Sequence, residues 1–515
     1  MTTTIAATTL EHLNADFLEV HPELLDIPVA ADLPERVLQF GEGGFLRGFV
    51  DWMIHGMNRQ GLFQGSVVVI QPIASGQVAK LNQQNGAYTL LMRGIENGKV
   101  IERQELVTSI SRGINPYTHF VTYLRCAHNP ELRFIVSNTT EAGITFCAED
   151  KLSDAPPSSF PAKLTRLLLE RYEAFQGDRE KGFVILPCEL IDRNGDRLKE
   201  AVLRTAADWD LDAAFTKWVE EANIFRNTLV DRIVTGYPRE DIASLTYAAG
   251  YQDDLFDTSE VFHLWVIEGP ASIAKELPLR EAGFNVVLTD SMKPYRDRKV
   301  GILNGAHTSM ALAAYLAGFD FVGECVEDPL IASFLKRAVY SEIIPTLSLP
   351  PEELNAFAAA VFERFGNPFI HHSLHSISLN SVSKYKARVL PTLERFYNSR
   401  GALPSCLVFG LSALIAFYRG TQVSEGTLIA RRGDCEYQVK DNLPILEMFA
   451  TLWSRFDGSE SSTRELVDAV LQQSDWWGKD LRQITGLAES VARSLRGILT
   501  LGVAPAMAAA VAEYS

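Results

Sequence analysis

The amino-acid sequence predicts an α/β protein with two domains: a parallel-sheet domain over residues 1–290 and a mostly α-helical domain over residues 291–515. Short apolar runs alternate with helical segments in the first part, and this alternation is typical of a parallel sheet with right-handed crossovers. A glycine-rich turn follows the first apolar run. Strand-like runs nearly vanish after about Asp297, where segments with the helical period dominate.

Four short apolar runs are predicted to be strands of the parallel sheet. The run Ser66–Ile70 (SVVVI) is rich in β-branched residues, which suits a strand that is buried on both faces. A helix is predicted over residues 161–175, between the last two strands. The other three strands are predicted at residues 37–40, 131–137 and 182–186.

The second part is predicted to be helical because its apolar residues recur at the helical period. The pair Pro350-Pro351 is interpreted as a loop or as the start of a helix, since proline is well tolerated in a first helical turn. The predicted helical segments are residues 304–318, 327–341, 351–365, 391–399, 404–419, 441–456, 462–474 and 481–499.

The composition is typical of a globular protein that binds neither nucleic acid nor membranes. The chain has 515 residues, 47% hydrophobic and 22% charged, which is enough for two or three domains. Its formal net charge of −16 argues against a nucleic-acid backbone or an anionic membrane as the main partner. An anionic small molecule would therefore need a local basic pocket.

The cysteines, the first residues and the longest uncharged run together predict a cytoplasmic protein. The six cysteines are scattered and form no C-x-x-C pair, so free thiols in a reducing compartment are expected. The first residues lack the basic and apolar regions of a signal peptide. The uncharged run 402–418 is short for a membrane span and contains Pro404, so we expect a buried core helix there.

The glycine-rich turn reads Gly41-Glu42-Gly43-Gly44-Phe45-Leu46-Arg47-Gly48. Glycines let a backbone turn sharply and approach a pyrophosphate, and the helix that follows offers unpaired N–H groups. The spacing departs from G-x-G-x-x-G because Leu46 occupies the place of the third glycine. A glycine-rich turn of another kind of α/β protein therefore stays an alternative.

The second predicted strand is followed by Gln71, where dinucleotide-binding domains often place an acidic residue for the adenosine ribose. Gln71 can hydrogen-bond to a ribose hydroxyl, but it does not repel a 2′-phosphate. This position therefore leaves the choice between NAD and NADP open.

Residues 299–307 (KVGILNGAH) bring an amine, an amide and an imidazole together within a short run. A lysine beside apolar neighbours can have its pKa lowered by desolvation, which suits a general base for alcohol oxidation and a general acid for ketone reduction. The side chains concerned are Lys299, Asn304 and His307. A solvated helix start is the alternative interpretation of the same run.

Several runs along the chain resemble the mannitol dehydrogenase family, the long-chain polyol-specific dehydrogenases. The matching runs are FGEGGFLRGFVDWM (40–53), SNTTEAGI (137–144), FRNTLVDRI (225–233), KVGILNGAH (299–307) and RFGNPFI (364–370). The resemblance implies an N-terminal Rossmann-like dinucleotide-binding domain, a mostly helical substrate and catalytic domain, and a site in the cleft between them. It also implies NAD as the cofactor and no catalytic metal.

The resemblance assigns roles to particular residues. It implies that Lys299 is the catalytic lysine and that Asn304 and His307 hold the reacting oxygen. It matches Asp231 to an acidic residue of the substrate pocket and Glu141 to a glutamate linked to proton movement. The expected cofactor-binding residues are Phe40, Gly41, Gly43, Gly44, Phe45, Gln71 and Asn138.

Within the family, the runs 187–195, 298–310 and 375–391 are most similar to a branch that interconverts the ketouronate tagaturonate and the hexonate altronate. The expected substrate is therefore a small sugar acid, and the expected reaction is hydride transfer. The polyol branch commonly has Cys-Asp-Asn where this chain has Cys188-Glu189-Leu190. Leu190 cannot donate a hydrogen bond, which weakens a polyol as substrate; Asn194 and Asn138 are candidate replacements.

Two other interpretations of function stay open. A mannonate (fructuronate) or mannitol-type polyol dehydrogenase has the same motifs, and a nucleotide-binding sensor without turnover would keep the glycine turn. The motifs do not encode the oligomeric state, and a monomer or small homo-oligomer is expected.

A basic cluster and three histidines complete the candidate residues. Lys384, Lys386 and Arg388 form the cluster, and we hypothesise that one or two of them, Lys384 or Arg388 first, neutralise the substrate carboxylate; a solvated helix face is the alternative. The spacing of His371 and His375 permits a zinc site on one helix face. No acidic or cysteine ligand lies close in sequence, so we expect no metal and place His372 in the substrate pocket.

Overall fold

The computed structural model describes residues 10–27, 30–139 and 143–512. The chain forms two compact units. The first ends at Met292 and excludes Ile95–Gly98, and the second consists of Ile95–Gly98 and the chain from Lys293 onward. The first unit is a Rossmann-like parallel-sheet domain and the second is mostly α-helical, which confirms the predicted fold class.

The first unit is built around strands that are numbered along the chain. They are β1 Glu35–Phe40, β2 Ser66–Ile70, β3 Tyr88–Glu96, β4 Lys99–Val107, β5 Ile110–Ile114, β6 Phe134–Ser137, β7 Val184–Pro187, β8 Ile224–Phe225, β9 Thr228–Asp231, β10 Val234–Gly236, β11 Asp257–Glu260, β12 Leu264–Glu268 and β13 Val286–Thr289. The main sheet has six parallel strands in the spatial order β5-β2-β1-β6-β7-β8. Counted by its own strands, this is the Rossmann order 3-2-1-4-5-6, whose ligand site lies between β1 and β6, where the order reverses.

Helices connect the strands of the first unit. They are α1 Ala15–Val20, α2 Gly44–Leu46, α3 Trp52–Arg59, α4 Val78–Gln83, α5 Phe120–Arg125, α6 Phe160–Ala174, α7 Asn194–Asp208, α8 Ala213–Ala222 and α9 Ile242–Ala249. A π-helical segment, Arg47–Asp51, joins α2 to α3, so the predicted helix after the glycine turn extends to Arg59.

The main sheet is buried on both faces. Successive side chains of each strand point to opposite faces, and each face packs into its own hydrophobic cluster. In β2, Val67 and Val69 enter one hydrophobic cluster, and Val68 and Ile70 enter another on the opposite face. This double burial explains why the strand sequence is an uninterrupted apolar run.

Two smaller sheets of the first unit were not predicted from the sequence. Their strand orders are β10-β11-β3-β4 and β13-β12-β9. The turn between β3 and β4 is Asn97-Gly98, and both residues have positive φ, as a tight hairpin turn requires. An Asn-Gly pair between two strand-like runs was the signal that would have found this hairpin.

The second unit consists mainly of helices. They are α10 Lys293–Arg298, α11 Ala306–Leu316, α12 Val322–Glu327, α13 Pro329–Lys336, α14 Pro351–Phe365, α15 Leu374–Ile377, α16 Ser381–Arg388, α17 Leu390–Arg400, α18 Ser405–Phe417, α19 Leu443–Ser454, α20 Glu460–Leu471, α21 Ser474–Trp477, α22 Leu487–Leu501 and α23 Val503–Ala512. Helix α14 coincides with the predicted segment, and every residue of α18 is buried, as the uncharged run 402–418 predicted. In the part of the chain that the structure describes, no helix is long and apolar enough to cross a membrane.

The second part, where strand-like runs were expected nearly to vanish, contains one small sheet that was not predicted. An antiparallel sheet is formed there by β14 Gln422–Ser424, β15 Thr427–Arg432 and β16 Cys435–Val439. Its turns contain Gly426 and Gly433, both with positive φ. The strands are short and half-exposed, so their alternation of polar and apolar residues is weak against the surrounding helical pattern.

A buried polar pair lies beneath the glycine turn. Gln39 Nε2 donates to Asp51 Oδ2 at 3.0 Å and to the carbonyl oxygen of Gly41 at 3.1 Å. The Gly41 carbonyl therefore points into the protein. Burial raises the pKa of the Asp51 carboxyl to about 7, an effect that the hydrogen bond from Gln39 opposes.

Asp51 is expected to make the free energy of unfolding depend on pH, and Asp51→Asn is expected to remove this dependence. The folded-state pKa lies above the unfolded value, so folding takes up a proton and wild-type stability falls as pH rises toward about 7. Between pH 5 and pH 8, the unfolding free energy of Asp51→Asn should gain about 2–3 kcal/mol relative to wild type. Guanidinium unfolding of both proteins at several pH values measures this difference. A difference that does not change with pH would contradict the assignment.

Candidate active site

The glycine turn is fixed by a close approach of two backbone segments. Gly41 has φ of +126°, and a Cβ added there would lie 3.0 Å from the carbonyl oxygen of Asn138. Gly41 follows β1 and Asn138 follows β6, so the two residues meet where the strand order reverses. Only glycine combines this φ with so little space.

The other residues of the turn have different surroundings. Gly43 is exposed, and a Cβ added there would have no neighbour within 4 Å. A Cβ at Gly44 would lie 3.0 Å from Asp257 Oδ1, and the half-buried Phe45 ring stacks on Phe49 at 5.2 Å. Of these positions, Gly43 is the one where an added Cβ would meet open space.

Two of the expected cofactor residues are buried and have protein partners. The Phe40 ring is fully buried against Phe160, and its carbonyl oxygen accepts from Asn138 N–H. Phe40 therefore supports the turn from inside the core. Gln71 is only 2% exposed, and its Nε2 donates to the carbonyl oxygens of Ile73 and Ala74, so this donor already has protein partners.

A buried glutamate that was not among the predicted site residues holds the loop after β6. The Glu189 carboxylate accepts from Thr139 N–H at 3.0 Å and from Ser137 Oγ at 3.1 Å. Asn138 Nδ2 donates to the carbonyl oxygen of Cys188 at 2.8 Å. Burial raises the pKa of Glu189. Glu189 could have been identified from the sequence by its position beside Leu190, in the run where the chain departs from the polyol branch.

The candidate replacements for the missing asparagine are both engaged. Asn194 is buried, and its Nδ2 donates to backbone carbonyl oxygens, including those of Pro187 and Thr228. Leu190 is 68% exposed. Glu141, for which a role in proton movement was expected, lies outside the described residues.

A cavity of about 580 Å³ lies where β2 and β5 end. This volume is within the range of roughly 300–1,000 Å³ that ligand pockets commonly have. Its lining includes Gln71, Gly76, Asn82, Arg112, Asn115 and His119. The loop after β2 and the loop after β5 therefore frame a pocket on one side of the glycine turn.

The run that carries Lys299 is not an ordinary helix. Residues Lys299–Gly305 are π-helical and continue directly into α11. In an α-helix, Lys299 and Asn304 would point about 140° apart. A π-helix bonds residues five apart, which brings Lys299 and Asn304 onto successive turns, and His307 follows Asn304 by three residues. The π segment thereby brings the three predicted side chains toward one face.

His307 is an imidazole with a buried, unpaired nitrogen. Its ring stacks on Phe365 at 4.2 Å and meets the edge of His372 at 5.1 Å. Among the described residues, its Nε2 has no hydrogen-bond partner. Burial, together with His372 and the charges of Arg364 and Arg388, holds the pKa of His307 well below its ordinary value. The ring is therefore neutral near pH 7, with one donor and one acceptor nitrogen.

Cations surround this pair of imidazoles. The charge of Lys384 adds to burial in lowering the pKa of His372, and Lys384 Nζ donates to the carbonyl oxygen of Ile377 at 2.8 Å. Lys384 and Arg388 both belong to α16, four residues apart, so they share one helix face. Arg364 was not predicted as a site residue, although it opens the run RFGNPFI. Positive charge is thus concentrated around His307 in a net acidic chain.

The zinc interpretation required His371 and His375 to lie on one helix face, and they do not. His371 and His372 precede α15, which begins at Leu374, so His371 and His375 do not share a helix face. The His371 ring packs edge-on against Phe321, and His375 packs edge-on against Tyr315. Among residues that the structure describes, no three or more His, Cys, Asp or Glu side chains are grouped to hold a metal ion.

The predicted site residues fall into two groups. The catalytic and basic residues belong to the second unit, whereas the glycine turn, Gln71, Asn138 and Asp231 belong to the first. Asp231 is 4% exposed and ends β9, paired with Leu264 of β12.

A Rossmann-ordered sheet with a glycine turn at the point of strand reversal defines a dinucleotide-binding protein. Residues 35–281 match the Mannitol dehydrogenase Rossmann domain, and residues 291–499 match the Mannitol dehydrogenase C-terminal domain. The chain belongs to the mannitol dehydrogenase family, as its motifs predicted.

Relatives with known names are similar over nearly their whole length. The chain is 50% identical to an altronate oxidoreductase of Klebsiella pneumoniae subsp. pneumoniae over 483 residues, 94% of this chain and 98% of the relative. It is 48% identical to altronate oxidoreductases of Pectobacterium atrosepticum (92% and 96% covered) and Escherichia coli (94% and 98% covered).

Solved structures share the fold at lower sequence identity. Mannitol 2-dehydrogenase of Pseudomonas fluorescens, in a ternary complex with NAD and D-mannitol, is 21% identical with a TM-score of 0.68, covering 96% of this chain and 98% of its own. A D-sorbitol dehydrogenase is also 21% identical, with a TM-score of 0.75 and coverage of 93% and 96%. At this identity the likeness concerns the fold.

Gly41→Ala and Gly43→Ala are expected to have different effects, because Gly41 is needed for the backbone conformation whereas Gly43 leaves space for a ligand. Gly41→Ala should lower the unfolding free energy by about 1–3 kcal/mol, because alanine is strained at positive φ. Gly43→Ala should leave stability within about 0.5 kcal/mol of wild type but weaken binding of a reduced nicotinamide dinucleotide at least tenfold. Chemical unfolding and fluorescence titration measure the two effects. Equal stability of the two variants would contradict this division.

Proposed function

We propose that this chain is an NAD-dependent oxidoreductase that interconverts the ketouronate tagaturonate and the hexonate altronate by hydride transfer. The observation that carries the proposal is 50% identity, over 94% of the chain, to a relative named altronate oxidoreductase. The chemistry of the second unit supports it, because an amine, an amide and a neutral imidazole lie among several cations. The expected substrate is therefore a small anionic carbonyl compound.

In this proposal the two units have different roles. Residues 1–290 bind NAD, and residues 291–515 hold the substrate and the catalytic groups. The open space at Gly43, the strained Gly41 and the cavity beside β2 fit a dinucleotide. When bound, the reduced nicotinamide supplies the hydride that the carbonyl carbon accepts.

Lys299, Asn304 and His307 act on the carbonyl oxygen of the substrate. Negative charge develops on this oxygen during reduction, and donors aimed at it stabilise the transition state. Asn304 donates through its amide, and His307 donates through a neutral ring whose buried nitrogen has no partner among the described residues. Lys299 donates the proton that completes the alcohol, and it accepts that proton in the oxidative direction.

The cations around His307 bind the carboxylate of the sugar acid. Arg388 and Arg364 both act electrostatically on His307, which places positive charge beside the proposed catalytic ring. A guanidinium pairs with a carboxylate through two parallel hydrogen bonds, so Arg388 is the preferred partner and Lys384 assists. His372 contacts the His307 ring and separates it from Lys384 in this proposal.

Location and assembly follow from the same proposal. All six cysteines are free, which fits the cytoplasm as the site of hexuronate catabolism. A monomer or a small homo-oligomer is the expected state.

Lys299→Ala should lower kcat for tagaturonate reduction at least a hundredfold while the Kd for NADH changes less than threefold. The reason is that Lys299 acts on the reacting oxygen, whereas the dinucleotide binds the other unit. NADH oxidation is measured at 340 nm with tagaturonate and fructuronate side by side, and wild type should prefer tagaturonate.

The matched control is Lys293→Ala, since Lys293 is exposed and pairs with Asp297 on the preceding helix. It should keep wild-type kcat. Near-normal kcat in Lys299→Ala would remove the catalytic role, and a preference for fructuronate would replace the proposed substrate.

Arg388→Ala should raise KM for tagaturonate about tenfold or more, because it removes a charged partner of the carboxylate. KM for NADH and the inhibition constant of the neutral polyol mannitol should stay within about twofold. Lys386→Ala is the control, because Lys386 lies on another face of α16, near Gly478. Equal effects of Arg388→Ala on the anion and on mannitol would argue against carboxylate binding.

A further inference from the structure

The loop after β2 lacks the acidic residue that dinucleotide-binding domains often use for the adenosine ribose. Gln71 takes that position, and its amide donor is engaged by the carbonyl oxygens of Ile73 and Ala74. A side chain from elsewhere must therefore provide any carboxylate near this ribose.

Glu42, in the middle of the glycine turn, extends its carboxylate to this loop. Glu42 Oε1 accepts from Gln77 N–H at 3.3 Å. Gly76 has no room for a Cβ, because one would overlap Glu42 Oε1 and the end of the Gln71 side chain. The side chain of Glu42 thus spans from β1 to the loop after β2, and it remains half-buried rather than enclosed.

The carboxylate lies beside the cavity at the ends of β2 and β5. Gly76, which lies next to Glu42 Oε1, and Gln71, which lies next to Gly76, both line this cavity of about 580 Å³. The arginine of the described lining, Arg112, is held in a bidentate pair by Glu35, with Nε–Oε1 at 2.7 Å and Nη2–Oε2 at 3.0 Å. Its charge is therefore already paired and does not favour an added phosphate.

We infer that Glu42 is the residue that selects NAD over NADP. This inference rests on the proposed dinucleotide function and adds its specificity. The Glu42 carboxylate accepts a hydrogen bond from a ribose hydroxyl of NAD. It repels the 2′-phosphate of NADP, because two negative charges brought together at a site that is partly shielded from water disfavour each other. The glycine turn thereby supplies the acidic group that usually ends the second strand.

Glu42→Gln tests the charge alone, since glutamine keeps the shape and an acceptor for Gln77 N–H. Binding of NADH and of NADPH is measured by fluorescence titration at pH 8. The Kd for NADPH should fall at least tenfold in the variant, while the Kd for NADH rises less than threefold. Glu42→Ala should shift the ratio of the two constants in the same direction.

Glu268→Gln is the matched control, because Glu268 is also half-buried in the first unit and accepts from a backbone N–H, that of Met292 at 2.8 Å. Its NADPH-to-NADH ratio should equal that of wild type. The inference is overturned if Glu42→Gln changes both constants equally or neither, or if wild type binds NADPH as tightly as NADH. Binding without turnover of tagaturonate would instead count against the proposed reaction, and the ratio of the constants would still decide the role of Glu42.

Discussion

The close approach of Gly41 to the Asn138 carbonyl is the constraint on which the first unit's site depends. It brings the ends of β1 and β6 together at the reversal of strand order, and it makes any side chain at residue 41 unfavourable. Gln39 holds the Gly41 carbonyl toward the interior through a hydrogen bond that it shares with Asp51. With that oxygen turned inward, the N–H of the same peptide, that of Glu42, points the opposite way.

The second unit meets a different constraint, the spacing of the three side chains for which catalysis is proposed. Asn304 follows Lys299 by five positions, a spacing that an α-helix would spread over two faces. A π-helical turn removes the mismatch, at the expense of less regular hydrogen bonds. Such turns often occur at functional sites, and this one begins at the lysine for which catalysis is proposed.

Charge is arranged locally against the net charge of the chain. The protein carries −16 overall, yet Arg364, Arg388 and Lys384 surround two imidazoles that burial keeps neutral. Neutral rings suit this place, because protonated ones would add repulsion among cations that are already close. The arrangement favours a small anion at the site without making the surface as a whole attractive to polyanions.

The sequence by itself determined the fold class, the glycine turn, the family and the run that carries Lys299. These features depend on local patterns: uninterrupted apolar runs for doubly buried strands, glycines at fixed offsets, and the helical period. Tertiary structure alone decided the π-helical turn, the neutral state of His307 and the engagement of Gln71 and Asn194 by backbone carbonyls. It also brought Glu42 to Gln77, 35 residues away along the chain. The physical reason is that burial, hydrogen-bond partners and electrostatic neighbours come from residues distant in sequence, and no local pattern encodes them.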